Sequence, residues 1–252
     1  MMRYPIKIGM RIVGRNNLIP LVFDLKTHPH LMLVGPSGSG KSYGLKYITA
    51  SLLKYQNEIE IYCCDFKNSG DYEFMDEDHL SVGVECHEML NNIYERYVEI
   101  KENNLRNIVL CIFDEYAAFI TWLTNADKKQ GKEIMNKVSE MLMMGRKLNK
   151  SGGGAYMWTV LQRPDATYFG TARENYFVKI IMRDVTRSIR TMLEIDEEEI
   201  PSEHIAKPGH GIAMIDDEIY AFIVPTYNEQ QMNAMLKAKR SEAESIAEML
   251  PT

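Results

Sequence analysis

The chain has 252 residues, 45% of them hydrophobic and 25% charged, which is long enough for one sizeable core and too apolar for a disordered tail or a fibre. No apolar run approaches the roughly 18 residues of a membrane span, and the start of the chain alternates polar and apolar residues instead of carrying a signal-peptide core, which predicts a soluble, cytoplasmic protein. A net charge of -6 excludes attraction to phosphate backbones by the whole-molecule field, so any nucleic-acid contact has to come from a local basic surface.

Ile6, Ile8, Met10 and Ile12 recur at period two, Gly14-Arg15-Asn16-Asn17 reads as a turn, and Leu18 to Leu25 reads as a second apolar run. Together they predict a leading β-hairpin within residues 1–27. Short, predominantly apolar runs follow at Leu31 to Val34, Ile59 to Cys64, Ile108 to Phe113, Ala155 to Leu161 and Phe177 to Met182. Helical patterns separate them, from Tyr43 to Tyr55, near Cys86 to Asn103 with Met89, Ile93, Tyr97 and Ile100 in register, and near Lys132 to Leu148 with Ile134, Val138, Met141 and Leu142. Alternation of buried strands with helices predicts an α/β fold, a mostly parallel sheet with helices on both faces. A second hairpin, Ile212 to Ile215 and Ile219 to Val224 around Asp216-Asp217-Glu218, precedes a helical tail over residues 228–252. No internal repeat or linker is visible, so residues 1–252 read as a single domain. Cys63, Cys64, Cys86 and Cys111 form no CxxC pair and are expected to be buried thiols, not zinc ligands, and the histidines show no metal spacing.

Gly35-Pro36-Ser37-Gly38-Ser39-Gly40-Lys41-Ser42 is a complete GxxxxGK[ST] string between an apolar run and a helical pattern, the strand, loop, helix context of a phosphate-binding loop. The glycines let backbone N–H groups turn inward around a β-phosphate, and the helix start adds partial positive charge. Lys41 then reaches the β- and γ-phosphates, Ser42 ligates Mg2+, and Tyr43 completes the nucleotide-binding stretch. Ile108 to Phe113 delivers Asp114 and Glu115 at its carboxyl end, which faces the ligand crevice in open α/β sheets. Asp114 is expected to hold the magnesium, and Glu115 to orient and deprotonate the attacking water. An acidic pair there also suits the dipole of a following helix. Patterning shows one strand, Ile59 to Cys64, between the two motifs. Gln162, at the end of Ala155 to Leu161, is placed to touch the γ-phosphate or the water, and it also suits a strand end before Arg163-Pro164. Asn149-Lys150-Ser151-Gly152 lacks the aspartate that would read guanine, so ATP is the expected nucleotide.

Further stretches carry a resemblance: Asp24-Leu25, Pro29-His30-Leu31, Asp65-Phe66-Lys67, Glu95-Arg96-Tyr97, Gly145-Arg146, Gln162-Arg163-Pro164 and Val178 to Arg183. With Asp114-Glu115 they make the chain, from about Val13 to Leu236, similar to the motor domain of the FtsK/SpoIIIE family of DNA translocases, within the wider HerA-like ATPases. The family usually has DPK where this chain has Asp65-Phe66-Lys67. The resemblance implies a RecA-like P-loop fold, a hexameric homo-oligomeric ring, ATP hydrolysis at subunit interfaces and passage of duplex DNA through a central pore. It also implies that Arg146 reaches a neighbour's γ-phosphate, with Arg183 and Arg190 as rivals, and that Arg163 and Arg173, after Gln162, face DNA in the pore. The basic segment Lys128 to Lys150 is a further DNA-facing candidate. Thr121 to Lys132 is longer than the family pattern, and Ser151-Gly152-Gly153-Gly154 replaces a tighter turn. The sequence shows no membrane segment, upstream ring domain or winged-helix module. The expectation is therefore a minimal motor for plasmid, conjugative-element or phage DNA transfer, with a membrane-anchored partner supplying the anchor. The alternatives are an ATPase module of a protein secretion apparatus and a nucleotide-binding regulator with little turnover.

Overall fold

Alternating apolar residues at the start of the chain form strands β1 (Pro5–Val13) and β2 (Asn17–Asp24), paired antiparallel with Pro5 opposite Asp24 and Val13 opposite Asn17. The structure, a computed structural model, describes residues 4–14 and 17–249, with side chains through residue 240. The middle of the first expected turn and the last three residues of the expected tail lie outside the described residues.

These apolar runs become β3 (Leu31–Val34), β4 (Ile59–Asp65), β6 (Ile108–Asp114), β7 (Gly154–Leu161) and β8 (Val178–Met182), with a three-residue strand β5 (Leu80–Val82) that patterning does not reveal. The second hairpin forms as β9 (His210–Ile215) and β10 (Glu218–Ile223). All of these strands share one sheet in the order β2-β1-β10-β9-β8-β3-β7-β6-β4-β5. From β8 to β5 the pairing is parallel, and the two hairpins extend the sheet antiparallel at the other side. Two strands, not one, therefore lie in the chain between β3 and β6.

Helices cover both faces. On one face Leu45, Ile48 and Leu52 of α1 (Lys41–Leu52) pack with Leu31, Leu33, Ile61 and Trp158. On the other, α2 (Cys86–Glu102), α3 (Tyr116–Ala126) and α4 (Lys128–Met144) bring Ile93, Tyr97, Phe119 and Val138 against Val34, Val109, Cys111 and Phe113. Strands buried on both faces favour apolar residues at most positions, which is why these runs are predominantly apolar, with Glu60 in β4 and Lys179 in β8 at partly exposed positions. The helix expected from Lys132 begins earlier, because Asp127 Oδ1 accepts from the N–H groups of Lys129 and Gln130 and caps it. It ends at Met144, four residues short of the expected Leu148. A short α5 (Arg187–Leu193) follows β8, and α6 (Glu229–Met249) supplies the expected tail. All four cysteines are buried free thiols. Among the described residues no helix is long and apolar enough to cross a membrane.

Candidate active site

The register of three adjacent strands builds the site. Val34 of β3 pairs with Leu161 of β7, and Val160 pairs with Asp114 of β6, so the residues that follow these strands meet at one end of the sheet. Gly35 N–H donates to Leu161 O at 3.2 Å. A Cβ at Gly35 would lie 2.7 Å from Ser39 Oγ and 3.0 Å from Met182 O, so only glycine lets the loop sit this close to the end of β8. Gly40 caps α1 with a left-handed φ of 94°, and Gly44 N–H donates to its carbonyl at 2.8 Å. The loop is thus held by its own backbone hydrogen bonds. Lys41 Nζ folds back onto the carbonyls of Gly35 (2.7 Å) and Pro36 (3.2 Å). Burial pulls the Lys41 ammonium below the usual lysine range, and Glu115 and Asp114 oppose that shift. A cleft of about 230 Å³ opens here, bounded by Ser37, Lys41, Ser42, Lys67, Asp114 and Glu115.

Asp114 is buried, and its carboxyl is pushed up to about 6, first by burial and then by the charges of Glu115 and Asp65. Tyr72 O–H donates to its Oδ2 at 3.2 Å and partly offsets the shift. Glu115 turns the chain from β6 into α3 through a left-handed backbone (φ 58°, ψ 38°), rare for a side chain other than glycine or asparagine. Gln162 Nε2 approaches Glu115 Oε1 at 3.4 Å across the mouths of β6 and β7. The structure therefore brings Lys41, Ser42, Asp114, Glu115 and Gln162 to one end of the sheet. Among the described residues no three histidine, cysteine, aspartate or glutamate side chains are grouped to hold a metal. One hydroxyl and one frustrated carboxylate instead suit magnesium, which keeps waters and takes phosphate oxygens as ligands. Asp65 adds a buried Oδ1 without a hydrogen-bond partner in the strand position opposite Asp114.

Residues 2–77 match the FtsK/SpoIIIE family. Over 205 residues the chain is 26% identical to the DNA translocase FtsK of Borreliella burgdorferi, a match covering 69% of this chain and 24% of that protein. The chain is FtsK/SpoIIIE-like. It spans about a quarter of the length of that curated relative. Among solved structures, EssC (ATPases 2 and 3) from Geobacillus thermodenitrificans superposes with a TM-score of 0.70 at 11% identity, over 99% of this chain and 50% of that one. The pCW3 conjugation coupling protein TcpA gives 0.65 at 19% identity over 92% of this chain and 71% of that one. The cytoplasmic domain of the type VII secretion ATPase EccC from Thermomonospora curvata gives 0.64 at 19% identity, over 94% and 31%. At these identities the likeness is one of fold, the α/β fold of P-loop ATPases expected from the sequence.

In this FtsK/SpoIIIE-like chain the candidate arginines separate by position. Arg146 is exposed just past α4, beside Ala155, whose N–H donates to Gly145 O at 2.9 Å. Ala155 lies six residues before Leu161, about 20 Å along the strand from the nucleotide end, so Arg146 does not reach its own cleft. Arg190 is taken up by Glu197 at 2.9 Å. Arg183 sits beside the phosphate loop of its own chain. Arg163 is exposed and reaches Ser188 Oγ at 3.4 Å. The Arg173 side chain is only 17% exposed and donates to Pro164 O at 3.1 Å, so it braces the turn that carries Arg163. Within the basic segment, Lys137 pairs with Glu133 on the same helix. Ser151-Gly152-Gly153-Gly154 lies at the start of β7, away from the cleft, where Asn149 Oδ1 accepts from the N–H groups of Gly152 and Gly153.

Lys67 is the cleft residue that motif reading leaves without a role. Asp65 Oδ2 accepts from Ser69 N–H (2.7 Å) and Ser69 O–H (2.9 Å) and shapes the turn that presents it. The signal was the Asp65-Phe66-Lys67 match. Tyr43 stacks face to face on Tyr227, with centroids 3.9 Å apart, and ties the segment before α6 to the first turn of α1.

Proposed function

We propose that the chain is an ATP-hydrolysing motor unit of a DNA translocase. The observation that carries this reading is the meeting of Gln162 with Glu115 at 3.4 Å beside a phosphate loop whose lysine is held on the loop's own carbonyls. Triphosphate oxygens replace the Gly35 and Pro36 carbonyls as partners of Lys41. Ser42 and Asp114 would hold Mg2+, which when bound would supply positive charge against the triphosphate. Glu115 accepts a proton from the attacking water, and Gln162 orients that water and fixes the carboxylate.

In this reading identical chains form a ring, most simply a hexamer, in which Arg146 approaches the nucleotide of the next subunit. The 20 Å separation from its own cleft is consistent with action in trans. A guanidinium fork suits the charge that develops on the γ-phosphate. Arg163 faces duplex DNA, with Arg173 shaping its turn. The ring moves plasmid, conjugative-element or phage DNA on the cytoplasmic side, recruited by a membrane-anchored partner. A second reading, an ATPase module of a protein secretion apparatus, draws on the fold likeness to EssC and EccC.

Two substitutions test the site. Lys41→Ala is expected to weaken ATP binding, whereas Glu115→Gln retains binding and loses turnover by about 10²-fold or more, because only the proton acceptor is removed. Hydrolysis by Glu115→Gln at the parent rate, measured as phosphate release, would show that Glu115 is not the base.

A further inference from the structure

Arg183 is the first residue after β8, and its backbone is left-handed, with φ 64°. A long side chain reaches that region only at a conformational cost, so its surroundings must impose it. They do so from both sides. Arg183 N–H donates to His210 O at 2.7 Å, and Arg183 O accepts from His204 Nε2 at 3.0 Å. The preceding Met182 packs against Gly35 and Gly40 of the phosphate loop. The strained turn is therefore built into the wall of the cradle.

The guanidinium is aimed accordingly. Nε is tied to Asp184 Oδ2 at 2.6 Å, and Nη1 lies 3.5 Å from Gly38 O, in the centre of the loop. Its charge is close enough to help hold the Lys41 ammonium down, as does that of Lys67. A cleft of about 460 Å³ abuts the loop, with Pro36, Gln162, Arg163 and Arg183 among its walls. Arg183 thus shares a cleft with Gln162, the residue that contacts Glu115. A 3.5 Å contact to a neutral carbonyl is a weak partner for a guanidinium, and a phosphate oxygen offering charge-assisted bonds displaces it readily.

We propose that Arg183 acts in cis, contacting the γ-phosphate of the nucleotide held by its own phosphate loop. This role differs from that of a neighbour's finger: the residue reads triphosphate against diphosphate within one chain, before any ring forms. The proposal rests on the nucleotide reading above, and the following experiment separates the two.

ATPγS and ADP binding, each with Mg2+, are measured by calorimetry for the wild type, Arg183→Gln and Arg183→Lys. Loss of a charge-assisted contact to the γ-phosphate predicts that Arg183→Gln binds ATPγS about tenfold or more weakly while ADP affinity stays within about twofold. Retained ADP binding also reports that the variant is folded. Arg183→Lys should recover part of the difference. Equal loss of both nucleotides would make Arg183 a clamp on the loop, and unchanged binding of both would make it irrelevant; either overturns the proposal. A wild-type chain that binds neither nucleotide would remove the nucleotide reading itself and this proposal with it. Hydrolysis is then measured in mixtures of Arg183→Gln with Lys41→Ala; if Arg183 acts in cis, the site on every chain carries one of the two lesions and mixing creates no intact site. No regain is expected. Restored hydrolysis would place Arg183 on the neighbour's nucleotide and contradict the assignment.

Discussion

Asp114 shows at a single residue how a site is held ready at the expense of stability. Its carboxyl is buried between Glu115 and Asp65, and its pKa is raised to about 6. The native state therefore binds this proton more tightly than the unfolded chain does. Stability from this group is greatest below the unfolded value of about 4 and declines as pH rises to about 6. Ionised Asp114 then costs on the order of 3 kcal/mol at neutral pH unless a cation answers it. Asp114→Asn is expected to raise the melting temperature by a few degrees at about pH 7.5, to raise it less at about pH 5, and to lose the further rise that wild type gains from ATPγS with Mg2+. Equal melting of the two proteins at the higher pH would show that the carboxylate is not frustrated. Lys41, Ser42, Asp114 and Glu115 were legible in the sequence because motif spacing after an apolar strand fixes their place. The placement of Lys67 and Arg183 was not, because each depends on a left-handed turn made without glycine, at Asn68 and at Arg183 itself.

The elements divide along the same line. Parallel strands buried on both faces announce themselves as apolar runs, and β3, β4, β6, β7 and β8 lie within a residue or two of their expected bounds. Strand β5 is too short to show periodicity. Helix α3 follows β6 with no glycine or proline to mark the turn, since Glu115 makes it, and one residue, Asp127, separates α3 from α4. Gly145 has a different lesson. In the sequence it is half of a family-like pair with Arg146, whereas in the fold it is where α4 meets β7. A Cβ there would overlap the carbonyl oxygens of Met141 and Ala155. Gly145→Ala should cost about 1–3 kcal/mol in urea denaturation through forced backbone displacement. An unchanged midpoint and slope would show that the junction yields freely.

At the scale of the molecule, an acidic chain with net charge -6 is a poor ligand for DNA on its own. A ring that lines up copies of one exposed arginine changes this, since each phosphate neutralised adds about 0.9 to the slope of log affinity against log salt on duplex DNA. Backbone contacts carry no base information, so duplexes of unrelated sequence should be equivalent. In the proposed motor the sheet and cleft form the catalytic half, and assembly supplies the remainder. The decisive measurement is the ATPase rate per chain, with and without duplex DNA, across protein concentration at low salt. A DNA translocase unit predicts a per-chain rate that climbs with concentration and is stimulated alike by duplexes of unrelated sequence. A rate independent of concentration, with no stimulation by any duplex or single strand, would contradict it and leave the secretion ATPase as the better account.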